Sequence, residues 1–210
     1  MSPRPYLLGR RAAAVKQTRA RIFTAARQLL AGKTGHRGFT IEAVARQAGV
    51  ARMTVYYQFQ NKTALLEALY DNLAEHGGMN SLGEVFHKPD PLEALLEFIG
   101  MFIRFWSSDR LVIRCLHALS ALDPEIAKAV RSQNELRREG LQVIVAQIKN
   151  RYGHPTAKKM TEAVDTLHML TSFESFDHLA SASRKATEVA DTVMRLALAT
   201  VVLYGAEIDD

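Results

Sequence analysis

The chain has 210 residues, 48% of them apolar and 23% charged, with 12 Gly, 6 Pro, one Cys and a formal charge of +5. That composition excludes a disordered polymer, a collagen-like repeat and a disulfide scaffold, and leaves one or two globular domains. The longest mainly apolar stretch, Leu196 to Tyr204 with Thr200 inside it, falls well short of the roughly 20 residues a spanning helix needs, so no membrane partner is expected.

No apolar h-region follows the Pro-interrupted, charged start Met-Ser-Pro-Arg-Pro-Tyr, so no secretory signal is expected. With Cys115 as the lone cysteine, the expected setting is the cytoplasm. The charge is unevenly placed. Up to Lys62 there are twelve Lys and Arg against one acid, Glu42, a balance of +11; the remainder carries 15 basic and 21 acidic residues, a balance of −6. An N-terminal segment that meets a polyanion, followed by a body with another task, is the reading this asymmetry suggests.

In chain order, nearly every segment has helical period and none shows a strand alternation. Ile22, Ala25, Ala26, Leu29 and Leu30 form the stripe of a first helix that Gly32 and Gly35 stop. Before it, Ser2 to Arg11 carries Arg4, Arg10 and Arg11 as an arm, either reaching a minor groove or merely solvated. Thr40 reads as the N-cap of a short second helix with Ile41, Val44, Ala45 and Ala48 inward and Glu42 facing the helix dipole. Gly49 follows where a left-handed residue is wanted, and a third helix runs from about Ala51 to Tyr57. Helix, Gly-containing turn and helix within about 18 residues make a helix-turn-helix.

Asn61 caps a fourth helix with Leu65, Leu66, Leu69 and Leu73 as its stripe, ending near Gly77-Gly78. A loop from Gly77 to Lys88 follows. Asp90-Pro91 starts a fifth helix through Trp106, a sixth runs from about Asp109 to Ser120, and Asp123-Pro124-Glu125 opens a seventh that reaches Tyr152. An eighth extends from Pro155-Thr156 to about Ala180 and a ninth from Ser183 to about Gly205. The ninth is apolar on nearly every side between Val193 and Tyr204, as befits either a central core helix or, together with the eighth, an interface with a second copy of the chain.

On the third helix, placing residues at about 100° intervals with Val55 inward puts Phe59 beside it. Met53 and Tyr57 then point outward, Thr54 and Tyr56 flank them, and Arg52 stands at the N-terminal end. This is a poor solvated face but a suitable one for a major groove. There Arg can fork onto guanine, Thr and Met methyl groups can meet thymine methyls, and Tyr hydroxyls can reach phosphates. Tyr56, at the edge of the buried face, either joins that surface or packs inward.

These residues resemble a family. The stretch Arg19 to Ala68, and most specifically TIEAVARQAGVARMTVYYQFQNKTALL, is similar to the DNA-binding domain of TetR-family transcriptional regulators: Thr40, Val44, Ala45, Ala48, Gly49, Val50, Thr54, Tyr56, Phe59, Lys62, Leu65 and Leu66 match the pattern. The resemblance implies that Arg52, Met53, Thr54 and Tyr57 face bases or groove wall and that Thr40, Tyr56 and Lys62 anchor phosphates. Lys62 also has a physical case, since it lies in the first turn of a capped helix, where free N–H groups attract anions. Ala51 departs from the pattern, which usually has a capping side chain there.

Beyond this stretch, the resemblance implies an all-α protein of about nine helices. Residues 1–62 would form the arm and a three-helix helix-turn-helix domain. Residues 63–210 would form a helical effector-binding and dimerisation domain, linked through the fourth helix. It implies a homodimer formed through the eighth and ninth helices that binds a near-palindromic double-stranded operator as a repressor and is released by a small apolar or amphipathic effector. Phe102, Phe105, Trp106, His117, His168, Met169, Phe173 and Phe176 are the candidate pocket residues, a set that equally suits a plain core.

No catalytic pair, phosphate loop or metal-ligand spacing is found, so no enzyme, metal or other cofactor is expected. The competing class is a helical adaptor that retains the helix-turn-helix only as scaffold.

Overall fold

The structure, a computed structural model, describes residues 4–32, 38–153, 155–180 and 184–205, and the side chains from residue 12 onward. Among these residues there is helix and no strand. The helices are α1 (Arg4–Ala31), α2 (Ile41–Ala48), α3 (Arg52–Phe59), α4 (Lys62–His76), α5 (Leu82–Val85), α6 (Pro91–Ser108), α7 (Arg110–Ser120), α8 (Pro124–Tyr152), α9 (Ala157–Leu170), α10 (Phe173–Leu179) and α11 (Ala186–Leu203). No helix is long and apolar enough to cross a membrane, among the described residues.

Side-chain chemistry accounts for most of the helix starts. Thr40 accepts from the Ala43 N–H, Asn61 from Ala64, Asp90 from Leu92, Asp123 from Glu125 and Thr156 from Lys159, each satisfying an otherwise orphaned donor. Gly49 closes α2 at φ 62, ψ 42 and returns its N–H to the last turn, the left-handed geometry glycine adopts without strain. Ala51, at the start of α3, makes no side-chain cap.

Three features differ from the sequence expectation. The segment expected as a loop, Gly77 to Lys88, contains a 3-10 turn, Met79–Ser81, and the four-residue α5. The expected eighth helix is two helices, because Thr171 ends α9 and the Ser172 hydroxyl accepts from the Ser175 N–H to start α10. Helix α1 begins at Arg4, so the backbone of the expected arm is helical from there on. Residues 1–3, Gly35 and Ser183 lie outside the described residues.

The chain divides into two compact units. The first takes the residues up to Asp71 together with Leu111–Lys128; the second takes Asn72–Arg110 and the residues from Ala129 on. Helices α4, α7 and α8 therefore contribute residues to both.

In the first unit Ile22, Ala26, Leu30, Phe39, Val44, Val55, Phe59, Leu65 and Leu69 are buried. The Phe23 and Phe59 rings stand 5.5 Å apart with the Arg19 guanidinium over both. In the second, α6 is the central helix, burying Leu95, Phe98, Ile99, Phe102, Phe105 and Trp106. Helices α10 and α11 pack on it, and α11 also packs on α9.

Candidate nucleic-acid interface

Helix α3 is anchored by the two side chains expected to point inward, Val55 and Phe59, both buried. Its opposite face is open: Met53 is 72% and Tyr57 89% exposed. Thr54 and Tyr56 are half-buried on the flanks, and Arg52 is exposed at the N-terminal end. The helical wheel thus places all five side chains as the sequence arithmetic does.

Arg52 is not a loose side chain. Its Nε lies 2.9 Å from the Glu42 carboxylate on α2, its Nη2 donates to the Tyr56 hydroxyl at 3.0 Å, and its guanidinium sits 5.2 Å from the Tyr56 ring centre. The hydrogen bond with Tyr56 and the charge of Glu42 raise its affinity for its proton above the ordinary arginine value.

Thr40 uses its hydroxyl oxygen to cap α2, which leaves the hydroxyl proton free to be donated. Lys62, the first residue of α4, holds its ammonium 5.5 Å over the Phe39 ring.

Two residues that sequence reasoning missed set the geometry. Arg21 of α1 donates from Nε and Nη2 to the Ala48 carbonyl at 3.1 and 2.6 Å, and from Nη2 to the Gly49 carbonyl at 2.7 Å. It neutralises the C-terminal end of α2 and pins the turn to α1. A Cβ on Gly49 would meet this same guanidinium at 3.1 Å. Glu42 is the other, since in sequence it reads only as a first-turn acid. Neither contact has a local signature: Arg21 lies 27 residues from Ala48 and Glu42 ten from Arg52.

Helix α3 reaches α4 through Gln60 at φ 63, ψ −52, with the Asn61 N–H donating to the Phe59 carbonyl at 2.7 Å. That is the strained form of the three-residue turn. Two residues, Gln60 and Asn61, therefore join the exposed α3 face to the helix bearing Lys62.

The candidate pocket residues fall in both units. His117 is half-buried on α7 in the first; the other seven belong to the second. There Phe102, Phe105, Trp106, Phe173 and Phe176 are all buried, with ring centres 4.5 to 6.5 Å apart along the series. Trp106 donates its indole N–H to the Thr171 carbonyl at 3.0 Å. Met169 is 58% exposed and stands apart from them.

His168 meets the buried Arg137, whose Nη1 donates to the His168 carbonyl and to the Thr171 hydroxyl. Burial, then the charge of Arg137, push the His168 imidazole below its ordinary pKa. Two cavities lie elsewhere in this unit. A cavity of about 20 Å³ lies among Val145, Ile148, Met160 and Val201, and an open cleft of about 500 Å³ is lined by Arg151, Tyr152, Thr156 and Lys159. Cys115 donates its Sγ–H to the Leu30 carbonyl and is held above its ordinary pKa by burial. Among the described residues no group of three His, Cys, Asp or Glu is placed to hold a metal.

Residues 22–69 match the family model described as "Bacterial regulatory proteins, tetR family". No curated protein matches the chain in sequence. Solved structures agree in fold over nearly the whole length. A TetR transcription regulator from Haloarcula marismortui superposes with a TM-score of 0.70 at 16% identity, covering 90% of this chain and 99% of its own. The TetR family transcriptional regulator PfmR from Thermus thermophilus does so with 0.66 at 19% identity, covering 85% and 97%. A protein of Saccharomonospora viridis solved in complex with choline gives 0.68 at 16% identity, covering 92% and 100%. The helix-turn-helix of residues 22–69 therefore matches the TetR-family model in sequence, and the chain as a whole shares the fold of TetR-family regulators.

Proposed function

We propose that the protein is a homodimeric, effector-responsive repressor that acts in the cytoplasm and reads a near-palindromic operator through Arg52, Met53, Thr54 and Tyr57, with Thr40, Tyr56 and Lys62 on phosphates. The observation that carries this reading is the α3 face. Two buried anchors hold a short helix whose outer side presents an arginine, a thioether and a nearly bare tyrosine to solvent. A face of this kind is costly in water and is repaid in a major groove.

Dimerisation through α9, α10 and α11 is supported by α11. It buries Val189, Val193, Ala197 and Val201 on one side and leaves Leu196, Val202 and Leu203 about half exposed or more. A second copy would cover them. The effector site is assigned to the aromatic cluster of the second unit. An effector entering there would have to part rings that now touch, and so would select a different packing of the unit. The buried guanidinium of Arg137, 5.8 Å from the Phe102 ring, disfavours a cation such as the choline held by the S. viridis protein and favours a neutral or acidic amphipath. Helix α4, running from the first unit into the second, would carry the change to α3.

The test is to select duplexes from a randomised pool with the purified protein and to measure affinity for the selected duplex against salt. Enrichment of a near-palindrome bound by two chains, with affinity falling as salt rises, is expected. Binding without salt dependence or sequence enrichment would instead favour an adaptor that keeps the helix-turn-helix as scaffold.

A further inference from the structure

Glu42 is the single acid among twelve bases up to Lys62, and it lies beside the face that the proposed function turns toward a polyanion. A carboxylate there repels phosphates and lowers affinity for every sequence. Its place in the first turn of α2 favours the helix dipole, but any of the preceding or following positions of that turn would serve the dipole equally. What is particular to Glu42 is its partner. Its carboxylate pairs by charge with Arg52 on the next helix, 2.9 Å from Nε, while the Tyr56 hydroxyl accepts from Nη2 and its ring centre lies 5.2 Å from the guanidinium.

Two helices thereby fix one long side chain. Of its five N–H donors, one on Nη2 is given to the Tyr56 hydroxyl, and Nε is held beside the Glu42 carboxylate by charge; the Nη1 pair and the second Nη2 proton lie outside these contacts. Those are the donors of an end-on fork to guanine N7 and O6. An arginine free to swing reaches phosphates as readily as bases, whereas one held at its base loses less rotamer freedom on docking and offers its fork in one direction.

We infer that Glu42 is a positioning residue for sequence readout: with Tyr56 it sets the Arg52 guanidinium for a base edge, and it gives up general affinity for discrimination. The inference rests on the DNA-reading function proposed above.

Full-length wild type, Glu42→Gln, Glu42→Ala, Arg52→Ala and the Glu42→Gln/Arg52→Ala double variant are compared on two duplexes. One is the duplex that wild type enriches from a randomised pool, the other a shuffled version of it, both at one salt concentration. Glu42→Gln is expected to bind the shuffled duplex more tightly while its selected-to-shuffled ratio falls roughly two- to fivefold. Arg52→Ala should lower that ratio by about fivefold or more. In the Arg52→Ala background Glu42→Gln should change the ratio no further.

An unchanged ratio in both Glu42 variants overturns the inference. So does an equal drop with or without Arg52, which would make Glu42 a reader of bases in its own right. A drop that follows loss of melting temperature across the two Glu42 variants would reduce it to a helix stabiliser. Wild type that enriches no sequence removes the DNA-reading function itself, and the inference falls with it.

Discussion

Lys62 shows how several weak attractions are assembled at one residue. It opens α4 behind the Asn61 cap, where N–H groups not used within the helix face outward, and its ammonium rests 5.5 Å over the Phe39 ring rather than against a carboxylate. Backbone donors, helix dipole and a partly sheltered cation all favour an anion at that spot. Lys62→Ala is therefore expected to weaken binding to selected and shuffled duplexes alike, and to flatten the log–log salt dependence by about one phosphate contact, a slope change of roughly 0.9. An affinity titration across salt concentrations checks it, and a change confined to the selected duplex would move Lys62 from the backbone to the bases. At this scale the sequence was a good guide wherever a side chain acts on its own helix, as the caps at Thr40, Asn61 and Asp90 do. It was silent on Arg21 and Glu42, whose roles come from partners on other helices that no periodicity encodes.

Individual elements were legible to the extent that their signals are local. The Asp90-Pro91 and Asp123-Pro124 starts, the stripe of α6 and the left-handed Gly49 follow from residue types at fixed offsets. The break between α9 and α10 was missed because an apolar period continues through it. Only the Ser172 hydroxyl, competing for the Ser175 N–H, marks the new start. Helix α8 holds a less visible constraint. Gly140 lies inside that 29-residue helix, where propensity alone favours alanine by about 1 kcal/mol. Yet a Cβ there would stand 2.9 Å from Cε2 of Phe98, a fully buried ring, and 3.2 Å from Cζ of Phe86. Overpacking of that kind costs about 1–3 kcal/mol. Gly140→Ala should therefore lower the melting temperature, by roughly 2–4 °C for each kcal/mol of net loss. A rise would show that the Phe86 and Phe98 rings yield more easily than their burial suggests.

For the molecule as a whole, the division of charge between a basic start and an acidic remainder was readable in the sequence, but what the second part encloses was not. Eight residues suited a pocket by type. Five of them became a closed aromatic cluster, His117 was placed in the other unit, and His168 was drawn into a network around Arg137. Composition cannot distinguish a ring that lines a space from one that fills it. The His168 network makes stability depend on pH. Burial and Arg137 lower the imidazole's pKa in the folded state from the usual 6.5, so the unfolded chain takes up a proton that the folded chain resists. The associated stability is present above that value and is lost as pH falls below it. Thermal unfolding at pH 7.5 and 5.5 is expected to show a drop on acidification that is smaller in His168→Gln; an identical drop in both would assign it to other groups.

The interrupted first unit has a consequence for how the chain is made. Residues Leu111–Lys128 belong to the same unit as the helix-turn-helix, and the Cys115 thiol closes on the Leu30 carbonyl across 85 positions of sequence. During synthesis α1 to α3 leave the ribosome long before α7 exists to join them, so the unit proposed to face DNA is completed only after all of α6 and α7 have been translated. A fragment ending at Asp71 would lack Val112, Ile113, Leu116 and Leu119, four of the unit's buried side chains. It should melt without a sharp transition, whereas the intact chain melts cooperatively, a contrast that calorimetry can measure. If the fragment melts in that way, the basic segment is not a detachable cassette, and a swap of DNA specificity between relatives is expected to need α7 along with α1 to α3.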